Sequence, residues 1–478
     1  MPTRDLPENP SLEWLKKQAK SLHRDVRAGD PDARALVAEF DPRTAPEDLA
    51  LTGAQLVIAR SYGFSGWAAL REQVLLRTSY TRFPEPPADL SDRPDAAEFL
   101  RLACLNYTRD LPENPARARR LLAAHPQLAT ADVFTMAAAG EAEALERLLA
   151  EDPGLARRTG GPFEWEPLMY LAYGRVAAGM RAARALLAAG ADPNAGYLWH
   201  GMISPFTALT GVLGGGEQSQ PPHPEAIPLA RLLLEAGADP NDNQALYNRM
   251  FEPANDHLEL LFEFGLGTDV ESPWRKRLGA NAYPSAAAMV QEQLRWAADH
   301  EMADRVRLLL AHGVDPDGRG YHPNFGEHTA YELAVLGGNR ESARLLAAAG
   351  ARTSGVDEVD AFVGACLAGD RELAQRLAAD PETVRAAIER QPDAVAQAVR
   401  SGRMEAVVLT LEHGFAVSGG DRTGLHEAAH AGNEAMVTLL LERGADPTPH
   451  DSDYGGTPAD WAEHGGYPEL AARLRVLE

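Results

Sequence analysis

The phrase Leu-Leu-x-x-Gly-Ala-Asp-Pro recurs along this chain, and its recurrence constrains the fold more than any single residue. It stands at 186–193, 233–240 and 440–447, with a looser copy at 309–316 in which Val314 replaces the Ala. A fixed phrase at intervals marks a stacked array of short structural units. The Leu pair reads as the buried stripe of a short helix. Gly after it can take the left-handed conformation that closes the last helical turn. Asp then turns the chain by accepting backbone N–H groups, and Pro blocks further helix.

Length and composition narrow the classes. At 478 residues the chain exceeds one ordinary hydrophobic core, so it is several domains or a quasi-one-dimensional stack. An apolar content of 45% excludes wholesale disorder. No apolar run is long enough to span a bilayer and no N-terminal signal pattern is present, which predicts a cytoplasmic protein. The formal net charge of −23 argues against nucleic-acid or membrane partners, which require Lys and Arg to meet phosphates. Only four lysines occur, Lys16, Lys17, Lys20 and Lys276, and this Arg- and Ala-rich usage suggests a GC-rich bacterial genome. Cys104 and Cys366 both lie in helical text, so neither a disulfide framework nor a Cys-based metal site is expected.

Three sections follow in order. Residues 1–80 read as a small helical domain, with Leu12, Leu15, Ala19 and Leu22 on one helical face and the three lysines mostly on the other. Further helical stretches run over 54–63 and from Trp67 to about Leu76, while Gly29-Asp30-Pro31 reads as a break. Residues 81–94 hold four prolines and read as a linker. From 95 to 478 the text becomes repetitive and fits about eleven helix pairs. Each helix is too short to be stable alone, so stacking must supply its stability.

The repetitive section resembles the ankyrin-repeat family. Its best opening is Thr423-Gly424-Leu425-His426-Glu427-Ala428-Ala429, followed by Gly456-Thr457-Pro458-Ala459-Asp460-Trp461-Ala462. Closings with Asn occur at Asn194 and Asn241. The likeness is strongest over 423–478, good over 166–241 and 300–350, and weak over 95–160 and 355–400. It implies an all-α, ankyrin-like helical-repeat solenoid preceded by the small helical domain. Ankyrin units run about 33 residues. Here the terminal glycines fall at 190, 237, 265, 313, 350, 414 and 444. The wide 350–414 gap fits two units, one lacking the Gly, and two other long gaps place insertions near 196–228 and 268–292. Such insertions collect on one face, often the binding face. Residues 12–20, 54–60 and 62–67 resemble a helical module found at the N-terminus of many bacterial ankyrin proteins; that likeness implies architecture and no activity.

Few strings suggest chemistry. His426-Glu427-Ala428-Ala429-His430 matches the zinc-protease pattern H-E-x-x-H. His426 is, however, the histidine of the ankyrin opening, where it ties one turn to its neighbour, so the repeat reading prevails. Gly211–Gly216 text lacks the Gly-Lys-Ser/Thr of a P-loop and reads as a flexible insertion. No catalytic residue, metal site or cofactor is expected. Large amphipathic side chains gather over 160–330, and Tyr and Trp are favoured in contact hot spots. Packing of irregular insertions explains such a cluster equally well. As binding residues the sequence nominates Tyr197, Trp199, His200, His223, Tyr247, Trp274, Tyr321 and His322. The leading expectation is a non-catalytic protein–protein interaction scaffold or adaptor, holding a partner protein on its concave face and loop tips. The alternative is a small-molecule or catalytic pocket formed by the inserted loops, using His200, His223 or Tyr247.

Overall fold

A computed structural model describes all residues except 1–3, 5, 8–9, 86–93 and 280–282. The chain divides into two compact units, residues 1–289 and 290–478, and the helix Ala286–Asp299 crosses the division. Most of the described chain is short helices in pairs, the helical-repeat architecture expected from the phrase spacing.

The first unit opens with four helices: α1 Leu12–Arg27, α2 Pro31–Phe40, α3 Leu51–Ser61 and α4 Trp67–Tyr80. Leu15, Ala19, Leu22 and Val26 form the buried seam of α1, at spacings of one helical turn. They pack with Val37, Ala54, Val57, Ile58, Leu70 and Val74. Gly29-Asp30-Pro31 separates α1, which ends at Arg27, from α2, which the same residues start. Asp30 caps it by accepting from the Ala33 N–H at 2.8 Å, and Pro31 takes the first turn, where its missing N–H costs nothing.

The segment read as a linker begins with a strand. Thr81–Arg82 (β1) pairs in parallel with Gly196–Trp199 (β2), which pairs antiparallel with Pro205–Thr207 (β3). Residues 86–93 of that segment lie outside the described residues. Helix pairs then follow, among them Pro167–Tyr173 with Met180–Ala188 and Ala208–Leu213 with Ala226–Glu235.

The repeated phrase folds as its chemistry dictates. Gly190, Gly237 and Gly444 have φ of +94°, +97° and +86°. The next residue's N–H reaches back to the helix, as in Ala191 to Leu186 O and Ala445 to Leu440 O, closing the last turn. Asp192, Asp239, Asp315 and Asp446 each accept the N–H two residues on, at 2.9–3.0 Å. The Asn of the closing links neighbours. Asn194 donates to Gly237 O at 2.8 Å and accepts from Asp239 N–H, while Asn241 accepts from Gly267 N–H at 2.8 Å.

The second unit stacks helix pairs on one apolar seam that includes Phe362, Val395, Leu409, Leu425, Leu440, Ala459 and Leu470. Between Gly350 and Gly414 the chain makes the pair Glu358–Leu367 and Arg371–Leu377 without a closing Gly. An extra helix, Pro381–Arg390, precedes the next pair. Among the described residues no helix is long and apolar enough to cross a membrane.

Candidate docking groove

The groove lies on the first helices of the last two repeats, Gly424–His430 and Pro458–His464. Each is preceded by a Thr, Thr423 or Thr457, that exchanges hydrogen bonds with the third residue of its helix. The caps set the register of everything after them. Counting four on from each Thr gives Glu427 and Trp461; counting seven gives His430 and His464. Equivalent positions in adjacent repeats therefore meet, and the two imidazoles stack at 5.8 Å with 17° between their planes.

The turn at 451–456 shapes the floor. Asp451 accepts from Trp461 Nε1 at 2.8 Å and from the backbone N–H groups of Asp453, Tyr454 and Gly456. These donors, the indole first, hold its carboxyl down to about 2. One ionised, buried side chain thus fixes both the indole and the turn. Arg422 covers the Trp461 ring, its guanidinium carbon 4.0 Å from the centroid, while its own charge meets Glu427 at 2.9 Å. Arg400 reaches the same carboxylate at 2.8 Å.

The result is an open groove of about 590 Å3, lined by Arg422, His430, Tyr454, Gly455, Gly456, Asp460, Trp461 and His464. Tyr454 stands 79% exposed beside the buried indole, with ring centroids 5.6 Å apart. The surrounding stretch is acidic: residues 421–478 hold eleven carboxylate side chains and four arginines. Such a place can seat an apolar or cationic side chain against aromatic edges.

The H-E-x-x-H string within this site is structural. His426 is fully buried; its Nδ1 faces Thr423 N–H and Oγ1 at 3.2 and 2.9 Å, and its Nε2 lies 3.2 Å from Gly456 O. Both ring nitrogens are engaged within the fold, and burial lowers its basicity. Glu427 is held by two arginines. The string therefore joins repeats, and its bond to Gly456 connects the two turns that frame the groove.

Of the eight residues nominated from the sequence, six lie in the first unit and two, Tyr321 and His322, in the second. Tyr197, His223 and Trp274 need correcting as contact residues, because all three are buried. Tyr197 packs among Trp165, Tyr173 and Phe206. Trp274 donates to Asn194 O at 3.1 Å and packs edge-on against Tyr80 at 5.0 Å. His223 Nδ1 accepts from Glu225 N–H at 3.0 Å, and burial pushes its basicity down to about 3, so it stays neutral. Trp199 is half-buried and donates to Asn106 O; His200 packs against it at 4.4 Å. Tyr247 donates to Glu217 at 2.6 Å. Tyr321 and His322 lie in the second unit, on a loop whose two N–H groups are gripped by the buried Glu292 carboxylate.

Among the described residues, two cavities beside the insertions, one lined by Arg175 and Gln220 and one by Asp242 and Trp274, measure about 20 and 10 Å3, room for a single water each. Arg175 fills the space instead. Fully enclosed, it donates to the carbonyls of Ala172, Gly174, Gly211 and Pro221 at 2.6–3.1 Å. It sits at the carbonyl ends of two helices, where positive charge is favoured, and fastens the 214–224 insertion inward. Burial lowers its basicity to about 10.

The groove residues Tyr454, Trp461 and His464 were not among the nominated ones. The signal available was the shared register after Thr423 and Thr457, a comparison of repeats and not of single residues.

Residues 362–451 match the family model described as ankyrin repeats (3 copies). The ARF GTPase-activating protein GIT2 of Rattus norvegicus is 42% identical over 84 residues, 17% of this chain and 11% of that relative. GIT2 of Homo sapiens is 41% identical over 84 residues, again 17% and 11% of the two chains. In Mus musculus the same protein is 41% identical over 84 residues, 17% and 12%. The likeness therefore spans only a small part of those relatives' length. Over 362–451 this chain is built of ankyrin repeats, set in a mostly helical repeat fold.

Proposed function

We propose that this chain is a non-catalytic interaction scaffold that docks a partner protein on its repeats, with the groove at 422–464 as the principal seat. Ankyrin repeats in this part of the chain support a protein-interaction role. The observation that carries the choice of seat is the pairing of a prefixed floor with an exposed aromatic. Asp451, Trp461 and Arg422 are already locked together, so little ordering remains to be done on binding. Tyr454 beside them is free to be covered. Trp199, His200, Tyr247, Tyr321 and His322 stay at or near the surface as secondary contacts. Two buried thiols, Cys104 and Cys366, fit a reducing, cytoplasmic setting.

The test is parallel affinity capture with the full chain and its Tyr454→Ala variant, quantified by mass spectrometry. A hot-spot tyrosine is worth about 2 kcal/mol, so at least one captured protein should fall roughly thirtyfold. Thermal unfolding should be unchanged, since the side chain packs against little. Identical capture profiles would remove the groove as the seat.

A further inference from the structure

We infer that residues 106–110, the tip of the loop after the helix Ala96–Ala103, are a displaceable plug in a second docking slot, and that the slot takes a partner segment carrying one tyrosine or phenylalanine side chain. Slot and plug both belong to the first unit, so the inference stands apart from the groove at 422–464.

Tyr107 is the side chain that fills the slot. Its ring meets Tyr173 edge-on at 6.4 Å and Phe206 at 5.2 Å, and its hydroxyl accepts from Asn248 Nδ2 at 3.1 Å. The backbone of Gly216 approaches so closely that a Cβ there would lie 3.3 Å from the ring. The rest of the tip is held to the repeats by few bonds. Trp199 Nε1 donates to Asn106 O at 3.1 Å, and Gln220 Nε2 to Asp110 O at 3.4 Å. Other bonds close the tip on itself. Asp110 accepts from the N–H groups of Asn106 and Tyr107, and Asn106 Oδ1 accepts from Thr108 N–H at 3.0 Å. A unit tied in this way can lift as one piece. Its root is fixed, since Leu105 N–H donates to Tyr173 O at 3.0 Å and Arg175 N–H to Ala103 O at 2.8 Å.

The chain's own segment fits the slot imperfectly. Tyr107 has φ of +60°, a left-handed conformation that is costly for a bulky side chain. It is only half-buried, and Arg109 and Leu111 beyond it are exposed. In the slot wall, Tyr173 OH, Tyr197 OH and Trp165 Nε1 are buried without a hydrogen-bond partner among the described residues, on rings 5.0–6.2 Å apart. Three unmet donors in one wall are expensive, and buried polar groups are nearly always satisfied. The plug therefore occupies the space and leaves the polar wall unanswered. A partner segment can put its ring where Tyr107 lies and turn main-chain carbonyls to those donors. Its apparent affinity is reduced by the fraction of chains whose plug is seated.

The probe is a fluorescein-labelled heptapeptide, Leu-Asn-Tyr-Thr-Arg-Asp-Leu, with the sequence of residues 105–111. It is titrated against the full chain and against Tyr107→Gly, in which glycine suits the positive φ and vacates the ring's place. Fluorescence anisotropy should show binding to the variant, and binding roughly tenfold weaker or less to the unaltered chain, whose own plug competes. The peptide with alanine for its tyrosine should not bind. In the unaltered chain, hydrogen exchange at 106–110 should outpace exchange over Pro167–Tyr173 and Ala208–Leu213, because the tip opens without unfolding the repeats. No binding to the variant, equal binding to the two chains, or equal binding of the two peptides would each overturn the inference. So would exchange at 106–110 that occurs only together with those two helices. A Tyr107→Gly chain that loses its helical circular dichroism would overturn it too, by making the ring part of the core.

Discussion

Between residues 163 and 197 large aromatic side chains turn inward, whereas at 454–464 the same side-chain types border an open groove. In the first region Trp165 lies about 5 Å from Tyr170, Tyr173 and Tyr197, and all are buried. The difference follows from chain geometry. Insertions of irregular length leave gaps between repeats, and aromatic rings fill them. In the last repeats the register is regular, helices bury Ala and Leu, and Tyr454 on the turn is left over for the surface. Aromatic content is therefore a poor guide to contact surface in a repeat protein with insertions; aromatic position relative to the cap is a better one.

That contrast can be broken. The largest effect should come from Trp165→Ala, which opens a hole in the aromatic cluster and should cost about 4 kcal/mol. Denaturant titration read by hydrogen exchange should show lost protection over 160–221 and none over 424–475. Equal loss in both would mean that the two regions unfold as one. Next comes Arg175→Met, which strands the carbonyls of Gly211 and Pro221 and should cost about 3 kcal/mol. Its signature is selective exposure of the 214–224 backbone, read by limited proteolysis.

A pH dependence sharpens the same comparison. His223 is neutral in the fold because burial holds it near 3, whereas an unfolded histidine takes a proton near pH 6.5. Its contribution is complete above about pH 6.5 and is lost as pH falls toward 3, because the unfolded chain then binds the extra proton. The loss should be on the order of 2 kcal/mol, and His223→Gln should flatten that part of the stability–pH curve. The smallest expected effect is Thr457→Ala, about 1 kcal/mol, from the lost helix cap. It should loosen the helix that carries Trp461 and His464 and leave residues 160–221 untouched by hydrogen exchange.

Much of the repeat architecture was legible from local chemistry. Leu-Leu-x-x-Gly-Ala-Asp-Pro names a helix end, a left-handed Gly and an Asp turn, and each needs only its immediate neighbours. The helices of α1 and α3 showed in their apolar spacing. The α2 helix did not, because Gly29-Asp30-Pro31 is equally good as a stop or as a cap followed by Pro. The strands Gly196–Trp199 and Pro205–Thr207 are too short for alternation to register, and β1 exists only through its partner. The groove was illegible for a related reason. Tyr454, Asp451 and Trp461 become a site through bonds between a turn and a helix, and His430 reaches His464 only when two repeats stack. Tyr197 and Trp274 misled because a sequence marks their size without marking their direction.

The guanidinium of Arg175 also bears on how such a protein can be altered. Loops on repeat scaffolds are usually treated as detachable, to be trimmed, swapped or grafted at will. The 214–224 loop is anchored from inside by a cation that belongs to another repeat, so shortening it would leave that cation buried and short of acceptors. Loop and arginine form a single structural unit, and any transplantation or redesign has to move both together.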